Sequence, residues 1–403
     1  MIILPIGWAN LNHKLVILTA IISITLIVIS LFVAINALTA QTPTRPFYVG
    51  VEYAYGNNQT AGFQLAQIEA LVNKVKDYTN LFVMGDVSLT FNQTALTQAC
   101  DIIYNQSKLY FIVLFTGGDK YSYNIAQWMF EANDRYGDRF FGIYKYDEPG
   151  GNQIDNTPSQ LINKTVIEPT AGYTDIANAY VGNLSFMVKF YQDYGHVNIT
   201  TADYGLYWFD YKSNYNVIFA EFVGNESRQR IVALDRGAAQ AFGRDWGVIV
   251  NWKYNQDPYL ENGTELYNDL ALAYSAGAKY AFVFSYRPYP IDSQYGILQE
   301  EHFEALQRFW NTLHTKPSSF GSNKAEVAYI VPKDYGFGFR RTSDTIWGLK
   351  SPDTLSEKIY YDTNKILPDN YSYRFDILYD EPELIAPLFK NYTTIYYWNQ
   401  TIP

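Results

Sequence analysis

The sequence predicts an α/β fold, a (β/α)₈ TIM barrel, from two observations. Eight short apolar runs rich in β-branched and aromatic residues recur along the chain, and helix-length amphipathic segments separate most of them. This alternation over roughly 270 residues is typical of a closed barrel of parallel strands. A doubly wound open sheet is the alternative, but no glycine-rich phosphate-binding turn follows the first run. The strand candidates are residues 47–53, 81–85, 109–115, 140–146, 199–207, 217–222, 246–252 and 280–286.

The segments between these runs have the spacing of helices that bury one face. Between residues 61 and 78, apolar side chains recur at helical intervals, at Leu65, Ile68, Leu71, Val72 and Val75. Only the connection at residues 208–216 is too short for a full helix. The barrel is therefore expected to span residues 47–316. The other helix candidates are residues 94–104, 174–194, 226–242, 260–276 and 299–313.

The chain changes character after a polar linker at residues 317–324. Residues 327–331, 375–379 and 393–397 are strand candidates, and residues 352–367 form a helix candidate. This order predicts a small βαβαβ domain with a three-stranded parallel sheet over residues 325–403. Because so small a piece buries too little apolar surface to stand alone, we expect it to pack on the barrel.

The N-terminal region predicts a membrane anchor. Residues 15–38 carry no charge and are mostly Leu, Ile, Val and Ala. About 24 such residues are enough to cross a bilayer as a helix, whereas the apolar core of a cleaved signal peptide is shorter. Cleavage is the alternative. Residues 1–14 would form a short tail, and residues 39–46 a stiff linker to the body.

Glycosylation sequons orient this anchor. Asn-x-Ser/Thr triplets are spread along everything that follows it, which fits a body carrying N-linked glycans outside the cell. The prediction is a single-pass protein of the cell membrane with its body exposed. The sequons begin at Asn58, Asn92, Asn105, Asn163, Asn183, Asn198, Asn225, Asn262, Asn370, Asn391 and Asn399.

Composition narrows the classes of partner. The net charge is −10, which argues against nucleic acid as a partner, because phosphate binding needs a basic face. Aromatic residues make up 17% of the chain, with 37 Tyr, and suit a sugar-facing surface. Only four His are present, no cluster has the spacing of metal ligands, and neither a P-loop nor a Gly-x-Ser-x-Gly elbow occurs. No cofactor and no metal are expected.

Acidic residues stand near the ends of several predicted strands. Because the C-terminal ends of the strands of such a barrel surround one mouth, we expect these carboxylates to converge there. Aromatic residues interleave with them, and glycoside hydrolysis needs two carboxyl groups roughly 5–9 Å apart. The acids are Glu52, Asp86, Asp147, Glu148, Asp203, Asp210 and Glu221. The aromatic residues are Tyr53, Tyr55, Tyr144, Tyr146, Tyr207, Trp208, Trp252, Tyr254 and Tyr286.

The triplet Asp147-Glu148-Pro149 after the fourth strand resembles the Asn-Glu-Pro signature of retaining glycoside hydrolases with a (β/α)₈ barrel. That clan includes β-galactosidases and cellulases, and some of its members carry a flavodoxin-like domain after the barrel. The tail of this chain resembles that domain, and the whole resembles archaeal cell-surface glycosidase-like proteins. The resemblance implies that Glu148 is the general acid/base.

The chain departs from this family at the seventh strand. The family has a nucleophilic Glu there, whereas residues 248–254 contain no carboxylate and the next one is Asp257. Glu221, at the end of an apolar run, is the best substitute, because a buried carboxylate is costly unless it is used or paired. A structural pairing with Arg228 or Arg230 is the alternative for Glu221.

These residues lead to two hypotheses of function. In the first, the protein is a glycoside hydrolase in which Glu148 protonates the glycosidic oxygen and Glu221 is nucleophile or base. In the second, a catalytically inactive barrel binds glycans at the surface or has a structural role in the envelope. In both, a carbohydrate is the ligand, and the expected contact residues are Glu52, Asp147, Asp203, Tyr53, Tyr146, Tyr207, Asn251, Trp252 and Tyr286.

Overall fold

A computed structural model describes residues 45–55, 59–116, 120–168, 170–286 and 294–403 of the chain. The anchor predicted at residues 15–38, and the tail before it, lie outside the described residues. Within the described ranges, no helix is both long and apolar enough to cross a membrane. The anchor, the glycans and the position of the body outside the cell stay predictions.

Eight parallel strands form a closed barrel in chain order. Each strand pairs with the next, and the barrel closes between the first and the eighth, where Gly50 lies between Leu81 and Phe282. The predicted barrel is thus confirmed. The strands are β1 (Tyr48–Tyr53), β2 (Leu81–Met84), β3 (Tyr110–Phe115), β4 (Phe140–Lys145), β5 (Ile199–Asp203), β6 (Val217–Phe222), β7 (Asp245–Val250) and β8 (Tyr280–Val283).

Alternation along the strands separates two layers of core. Successive side chains of a strand face opposite sides, so every second residue points into the barrel. Leu81 and Val83 of β2, Phe219 of β6 and Phe282 of β8 belong to this inner cluster. The residues between them pack on the surrounding helices in a second, larger cluster.

Helices surround the barrel, and four of them were not predicted. These four are a helix between β3 and β4 and three short helices, one after each of β2, β4 and β5. The fifth strand ends at Asp203, not at residue 207, because Leu206 turns the backbone with a φ of 52° and begins a helix. The helices are α1 (Ala61–Val75), α2 (Val87–Thr90), α3 (Gln93–Gln106), α4 (Ile125–Tyr136), α5 (Pro149–Ile154), α6 (Tyr173–Gly195), α7 (Tyr207–Lys212), α8 (Arg228–Phe242), α9 (Gly263–Ala276) and α10 (Glu300–Thr315).

The C-terminal region forms a separate parallel sheet of three strands, as predicted. The strands are β9 (Val327–Val331), β10 (Phe375–Tyr379) and β11 (Thr394–Tyr397), and β9 lies in the middle. The predicted single helix is divided into α11 (Thr354–Tyr361), a π-helical turn and α12 (Leu367–Tyr371). Pro368 in α12 has no backbone N–H to donate, which interrupts the regular bonding of an α-helix. A short α13 (Pro382–Ile385) follows β10.

This sheet packs against α8 of the barrel, within one compact unit. Gly237 permits the close approach, since a Cβ at that position would lie 2.6 Å from the carbonyl oxygen of Ile377. Arg236, one residue earlier, forms a buried ion pair with Asp376 at 2.7 Å. Lys212 of α7 pairs with Glu381 at 2.8 Å. The C-terminal sheet is therefore joined to the side of the barrel by charged and close backbone contacts.

Candidate active site

Alternation along the strands decides which acids face the mouth of the barrel. Glu221 follows Val217 and Phe219 of the inner cluster in steps of two along β6, so its side chain points inward. Asn251 follows the inward-facing Ile249 of β7 in the same way. Two polar side chains from neighbouring strands therefore lie together above the apolar interior.

The carboxyl groups of Glu148 and Glu221 are hydrogen-bonded to each other. Glu148 comes from the turn after β4, and Glu221 from the penultimate position of β6. Asn251 donates a hydrogen bond from Nδ2 to Oε2 of Glu221, at 3.1 Å. The structure thus brings together the two acids that the sequence singles out for catalysis.

The arginines considered as partners of Glu221 are paired elsewhere. Arg228 forms an ion pair with Asp269 at 3.0 Å, and Arg230 forms one with Glu226 at 2.6 Å. Glu221 is 3% exposed and forms no ion pair with any residue that the structure describes. A buried acid that contacts another acid, rather than a cation, is not explained by an ordinary salt bridge.

Burial and negative neighbours raise the pKa of both acids. Burial raises the pKa of Glu221 well above its usual value, and the charges of Glu148 and Asp147 add to this. Burial, and next the charge of Asp147, raise the pKa of Glu148 to about 7. The shared hydrogen bond raises the pKa of Glu221 and lowers that of Glu148, so the pair holds its proton on Glu221.

Asp147 and Glu52 extend this acidic cluster. The side chain of Asp147 reaches solvent at the mouth of the barrel. Neighbouring protein atoms nevertheless displace water around its carboxyl group and raise its pKa, and a hydrogen bond from the Tyr144 hydroxyl opposes this rise. Glu52 is buried, which raises its pKa well above the usual value, and the charge of Asp147 raises it further. Gly85 makes room for Glu52, because a Cβ at position 85 would lie 2.0 Å from its Oε1.

The turn after β4 positions the side chain of Glu148. Its backbone adopts a left-handed conformation, with a φ of 51°, which is unusual for a residue with a side chain and is maintained only when neighbours enforce it. Pro149 begins α5 directly afterwards, where its missing N–H costs nothing. Beneath the turn, Asp203 accepts hydrogen bonds from the N–H groups of Gly150, at 2.5 Å, and Gly151, at 2.8 Å.

Asp203 therefore lies under the cleft, not on its surface. Its carboxylate also accepts from the N–H groups of Tyr204, at 2.7 Å, and Gly205, at 3.0 Å. It is fully buried and contacts the carboxyl group of Asp210, which in turn accepts from Tyr180. Burial raises the pKa of Asp203 to about 6. Asp203 was predicted to contact the ligand, but its buried carboxylate instead holds the loops that follow β4 and β5.

A cleft of about 560 Å³ opens above the acid pair. Glu148, Glu221 and Asn251 lie on its wall, together with the rings of Tyr204 and Trp252. A cavity of this size holds a small ligand. Carboxyl groups, an amide and two aromatic rings on one wall can bind the hydroxyls and the apolar face of a sugar.

Trp252 is supported by further aromatic rings. Its ring centroid lies 5.6 Å from that of Tyr259 and 5.5 Å from that of Tyr286. The predicted contact residues Trp252 and Tyr286 thus lie side by side near the mouth. Such tilted aromatic neighbours fix the orientation of an indole ring and leave it as a rigid platform.

Other predicted contact residues lie away from this cleft. Tyr53 is fully buried and packs against Tyr55, with ring centroids 4.3 Å apart. Tyr207, at the start of α7, is also buried. Tyr146 and Asp147 line a second cavity of about 650 Å³ beside the first. Tyr53 and Tyr207 are core residues because they face the surrounding helices rather than the barrel interior.

The C-terminal region supplies cations to the cleft, which sequence reasoning missed as site residues. Arg340 and Arg341 line it, and the guanidinium of Arg340 pairs with Asp155 at 2.6 Å and lies 5.2 Å from the ring centroid of Tyr204. The C-terminal domain was expected to pack on the barrel, and the loop that carries these arginines does so. Tyr204 itself could have been found, because it continues the inward phase of Ala202 on β5.

Comparison with known proteins shows which solved structures share this fold. No protein-family model matches the chain, and no curated protein matches it. Among solved structures, a GH5_18 protein from Bifidobacterium longum subsp. infantis is 10% identical, with a TM-score of 0.54 over 88% of this chain and 97% of that chain. A GH5_18 protein from Bifidobacterium longum subsp. longum, in complex with Manβ1-4GlcNAc, is 9% identical, with a TM-score of 0.51 over 88% and 96%. The chain has a glycoside hydrolase-like (β/α)₈ fold.

A third similar structure is the α-L-fucosidase isoenzyme 2 from Paenibacillus thiaminolyticus. It is 10% identical, with a TM-score of 0.53, and the match covers 87% of this chain and 59% of that chain. Identities this low establish the shared barrel and carry no residue roles from these proteins to this one. The chemistry has to be argued from the residues in the cleft.

Proposed function

We propose that this protein is a glycoside hydrolase in which Glu148 and Glu221 are the two catalytic carboxyl groups. The contact between these two acids in an aromatic cleft at the mouth of the barrel carries the proposal. A pair of carboxyl groups that holds one proton near neutral pH supplies both an acid and a base or nucleophile. Carboxyl groups with perturbed pKa values also cluster in the clefts of functional sites.

The proton of the pair reaches the substrate in two steps. As a sugar enters, the proton moves from Glu221 to Glu148 along their existing hydrogen bond. Glu148 then donates it to the glycosidic oxygen, the bond from that oxygen to the anomeric carbon breaks, and a carboxylate oxygen of Glu221 bonds to the carbon. Water releases the sugar, with Glu148 accepting a proton from that water. The hydrogen bond from Asn251 stabilises the negative charge on Glu221.

Substrate binding must separate the two acids. Carboxyl groups in hydrogen-bonding contact are closer than the roughly 5–5.5 Å at which a retaining pair flanks the reacting bond. Glu148 is the partner that moves, because it is partly exposed whereas Glu221 is buried. The work of separating the pair is offset by the hydrogen bonds and aromatic contacts that the sugar makes in the cleft.

A second candidate function is glycan binding without hydrolysis. Asn251 favours it, because this amide stands after β7, where the resembled family has its nucleophile. In this alternative, the cleft holds a sugar at an envelope surface and the acid pair only accepts its hydroxyl protons. The membrane anchor proposed for residues 15–38 suits either function, since both act on glycans outside the cell.

A panel of aryl glycosides and oligosaccharides distinguishes the two functions. The wild type is expected to hydrolyse at least one of them, and Glu148→Gln and Glu221→Gln are each expected to lower kcat by at least about a thousandfold. Glu304→Gln, which removes an exposed carboxylate on α10, is the control and should leave kcat unchanged. If the wild type binds a sugar in calorimetry but hydrolyses none of the panel, the hydrolase proposal is wrong and the glycan-binding function is supported.

A further inference from the structure

The second cavity of about 650 Å³ adjoins the catalytic cleft across two consecutive residues. Asp147 lies in the wall of this cavity, and Glu148 lies in the wall of the cleft. The other walls come from the ends of β3 and β4 and from α6, which contributes Met187 and Tyr191. A glycan that crosses this turn would place one unit in the cleft and a neighbouring unit in the cavity.

The distinctive group of the cavity is a buried cation. Lys145 ends β4, lines the cavity and is only 3% exposed. Its ammonium donates a hydrogen bond to the carbonyl oxygen of Thr116 and lies 5.3 Å from the ring centroid of Tyr191. No carboxylate of the described part of the chain forms an ion pair with it.

An unpaired buried cation is costly to the fold. Removing an ammonium group from water without a counter-ion is strongly unfavourable, and one hydrogen bond to a carbonyl satisfies only one of its three donors. Burial lowers the pKa of Lys145 to about 8, so that the amine still carries its proton at neutral pH. A ligand that brings an anion to Lys145 would recover this cost on binding.

We propose that the cavity binds an acidic sugar unit of a glycan, with the sugar carboxylate paired to Lys145 and its hydroxyls donating to Asp147. This inference rests on the proposed function, because it takes the catalytic cleft as the place where the neighbouring unit binds. Among the described residues, the carboxylate of Asp147 accepts a hydrogen bond from Tyr144 alone, and a carboxylate can accept several. A simple anion would use Lys145 alone and be repelled by Asp147, whereas a sugar acid uses both charges.

The remaining walls suit a pyranose ring. Leu114, Phe115 and Met187 are apolar, and the rings of Tyr146 and Tyr191 offer faces for the C–H groups of a sugar. The volume lies within the range of cavities that hold small ligands. Thr116 and Asn152 add polar edges. The combination of one cation, one carboxylate and aromatic walls therefore specifies an acidic carbohydrate.

Calorimetric titration of the full chain tests this assignment. The probes are D-glucuronate and D-galacturonate, with D-glucose and D-galactose as matched neutral sugars and acetate as the matched simple anion. At least one acidic sugar is expected to bind about tenfold more tightly than its neutral counterpart and than acetate. Lys145→Met should remove this preference, and Lys145→Arg should keep part of it. Lys189→Met, which removes an exposed charge from α6, should change nothing.

Several results would overturn the assignment. These are equal binding of acidic and neutral sugars, binding of acetate as tight as that of the acids, no binding of either acid, or an unchanged preference in Lys145→Met. Thermal unfolding checks that this variant folds, and its melting temperature should not fall, because the substitution removes a buried charge for which the described residues supply no counter-ion. A melting temperature well below that of the wild type would instead show that the lysine stabilises the fold.

The test separates this inference from the proposed function. Titrations are repeated with Glu148→Gln, which should not hydrolyse a ligand during the measurement. Lys145-dependent binding of an acidic sugar, without turnover of any glycoside, would support the acidic binding site and contradict the proposed hydrolase activity. Turnover of neutral glycosides, without Lys145-dependent binding of an acidic sugar, would support the hydrolase activity and contradict the acidic binding site.

Discussion

The carboxylate of Asp203 accepts a hydrogen bond from the backbone N–H of Gly150, at 2.5 Å, and so ties the end of β5 to the turn that carries Glu148. The turn needs such a tie, because Glu148 has a left-handed backbone conformation with a φ of 51°. Strained conformations of this kind persist only where surrounding contacts enforce them. Asp203 is thus a positioning residue for the acid pair, although it cannot touch a ligand.

Asp203→Asn should lower kcat and leave KM nearly unchanged. An amide nitrogen cannot accept a hydrogen bond, so one of the N–H groups of the turn loses its partner and Glu148 is less well placed. The loss in free energy of unfolding should be ~1–3 kcal/mol. The measurement is steady-state kinetics together with chemical denaturation. Asp193→Asn, on the exposed side of α6, is the matched control. A rise in KM without a fall in kcat would contradict the positioning role.

The shared proton of Glu148 and Glu221 predicts how activity depends on pH. The active pair carries one proton, on Glu221, and Glu148 is ionised until the sugar enters. Burial and the charge of Asp147 raise the pKa of Glu148 to about 7, so below that value both carboxyl groups are protonated and no carboxylate remains to attack the anomeric carbon. We therefore expect kcat/KM to fall about tenfold per pH unit below that value. A kcat/KM that stays constant between about pH 7 and pH 5 would contradict the shared-proton mechanism.

Stability should fall as pH rises from about 4.5 to about 7. The pKa of Glu148 is about 7 in the folded chain and near 4.5 when unfolded, so between these values the folded chain binds more protons. The free energy of unfolding then decreases as pH rises, and the stabilisation from this group is complete only below about pH 4.5. Melting temperatures between about pH 5 and pH 8 measure this. The decrease should be smaller in the variant with both Glu148→Gln and Glu221→Gln, and an equal decrease would assign it to other groups.

The architecture could be predicted because its signal is repeated. Each strand of a parallel barrel is buried on both faces and therefore appears as a continuous apolar run, and eight such runs alternate with helical periods. Boundaries were less certain, because local turns decide them. The fifth run continues to residue 207 in composition, but the backbone at Leu206 has a φ of 52° and starts α7. No property of its aliphatic side chain indicates this turn.

The candidate site could be predicted only in part. Glu221 was identifiable, since a lone acid in an apolar strand must be used or paired, and strand phase would also have separated inward-facing Tyr204 from outward-facing Asp203. The contact between Glu148 and Glu221 depends on the closure of the barrel, which no local pattern encodes. Arg340 and Arg341 reach the cleft from a region more than a hundred residues away, and their position follows from the docking of the C-terminal sheet.

Trp252→Ala should weaken the binding of a sugar without altering the chemistry. The indole ring lines the cleft and is oriented by Tyr259 and Tyr286, so its loss removes a preformed platform. We expect KM, or Kd for a bound sugar, to rise about tenfold, which corresponds to ~1.4 kcal/mol, while kcat changes little. Trp310→Ala, on α10 away from the cleft, is the control. Unchanged KM in Trp252→Ala would show that the sugar lies elsewhere in the mouth.

The buried pair of Arg236 and Asp376 should hold the C-terminal sheet to the barrel. Arg236 bonds to Asp376 at 2.7 Å and also to the carbonyl oxygens of Phe375 and Tyr373, both at 2.9 Å. Removing one member leaves the other charged and buried, so Arg236→Met should cost ~3–5 kcal/mol in free energy of unfolding. Arg374→Met, which breaks an exposed pair with Glu326, is the matched control and should cost at most ~1 kcal/mol. Chemical denaturation measures both, and equal losses would show that the buried pair has no special role in joining the sheet to α8.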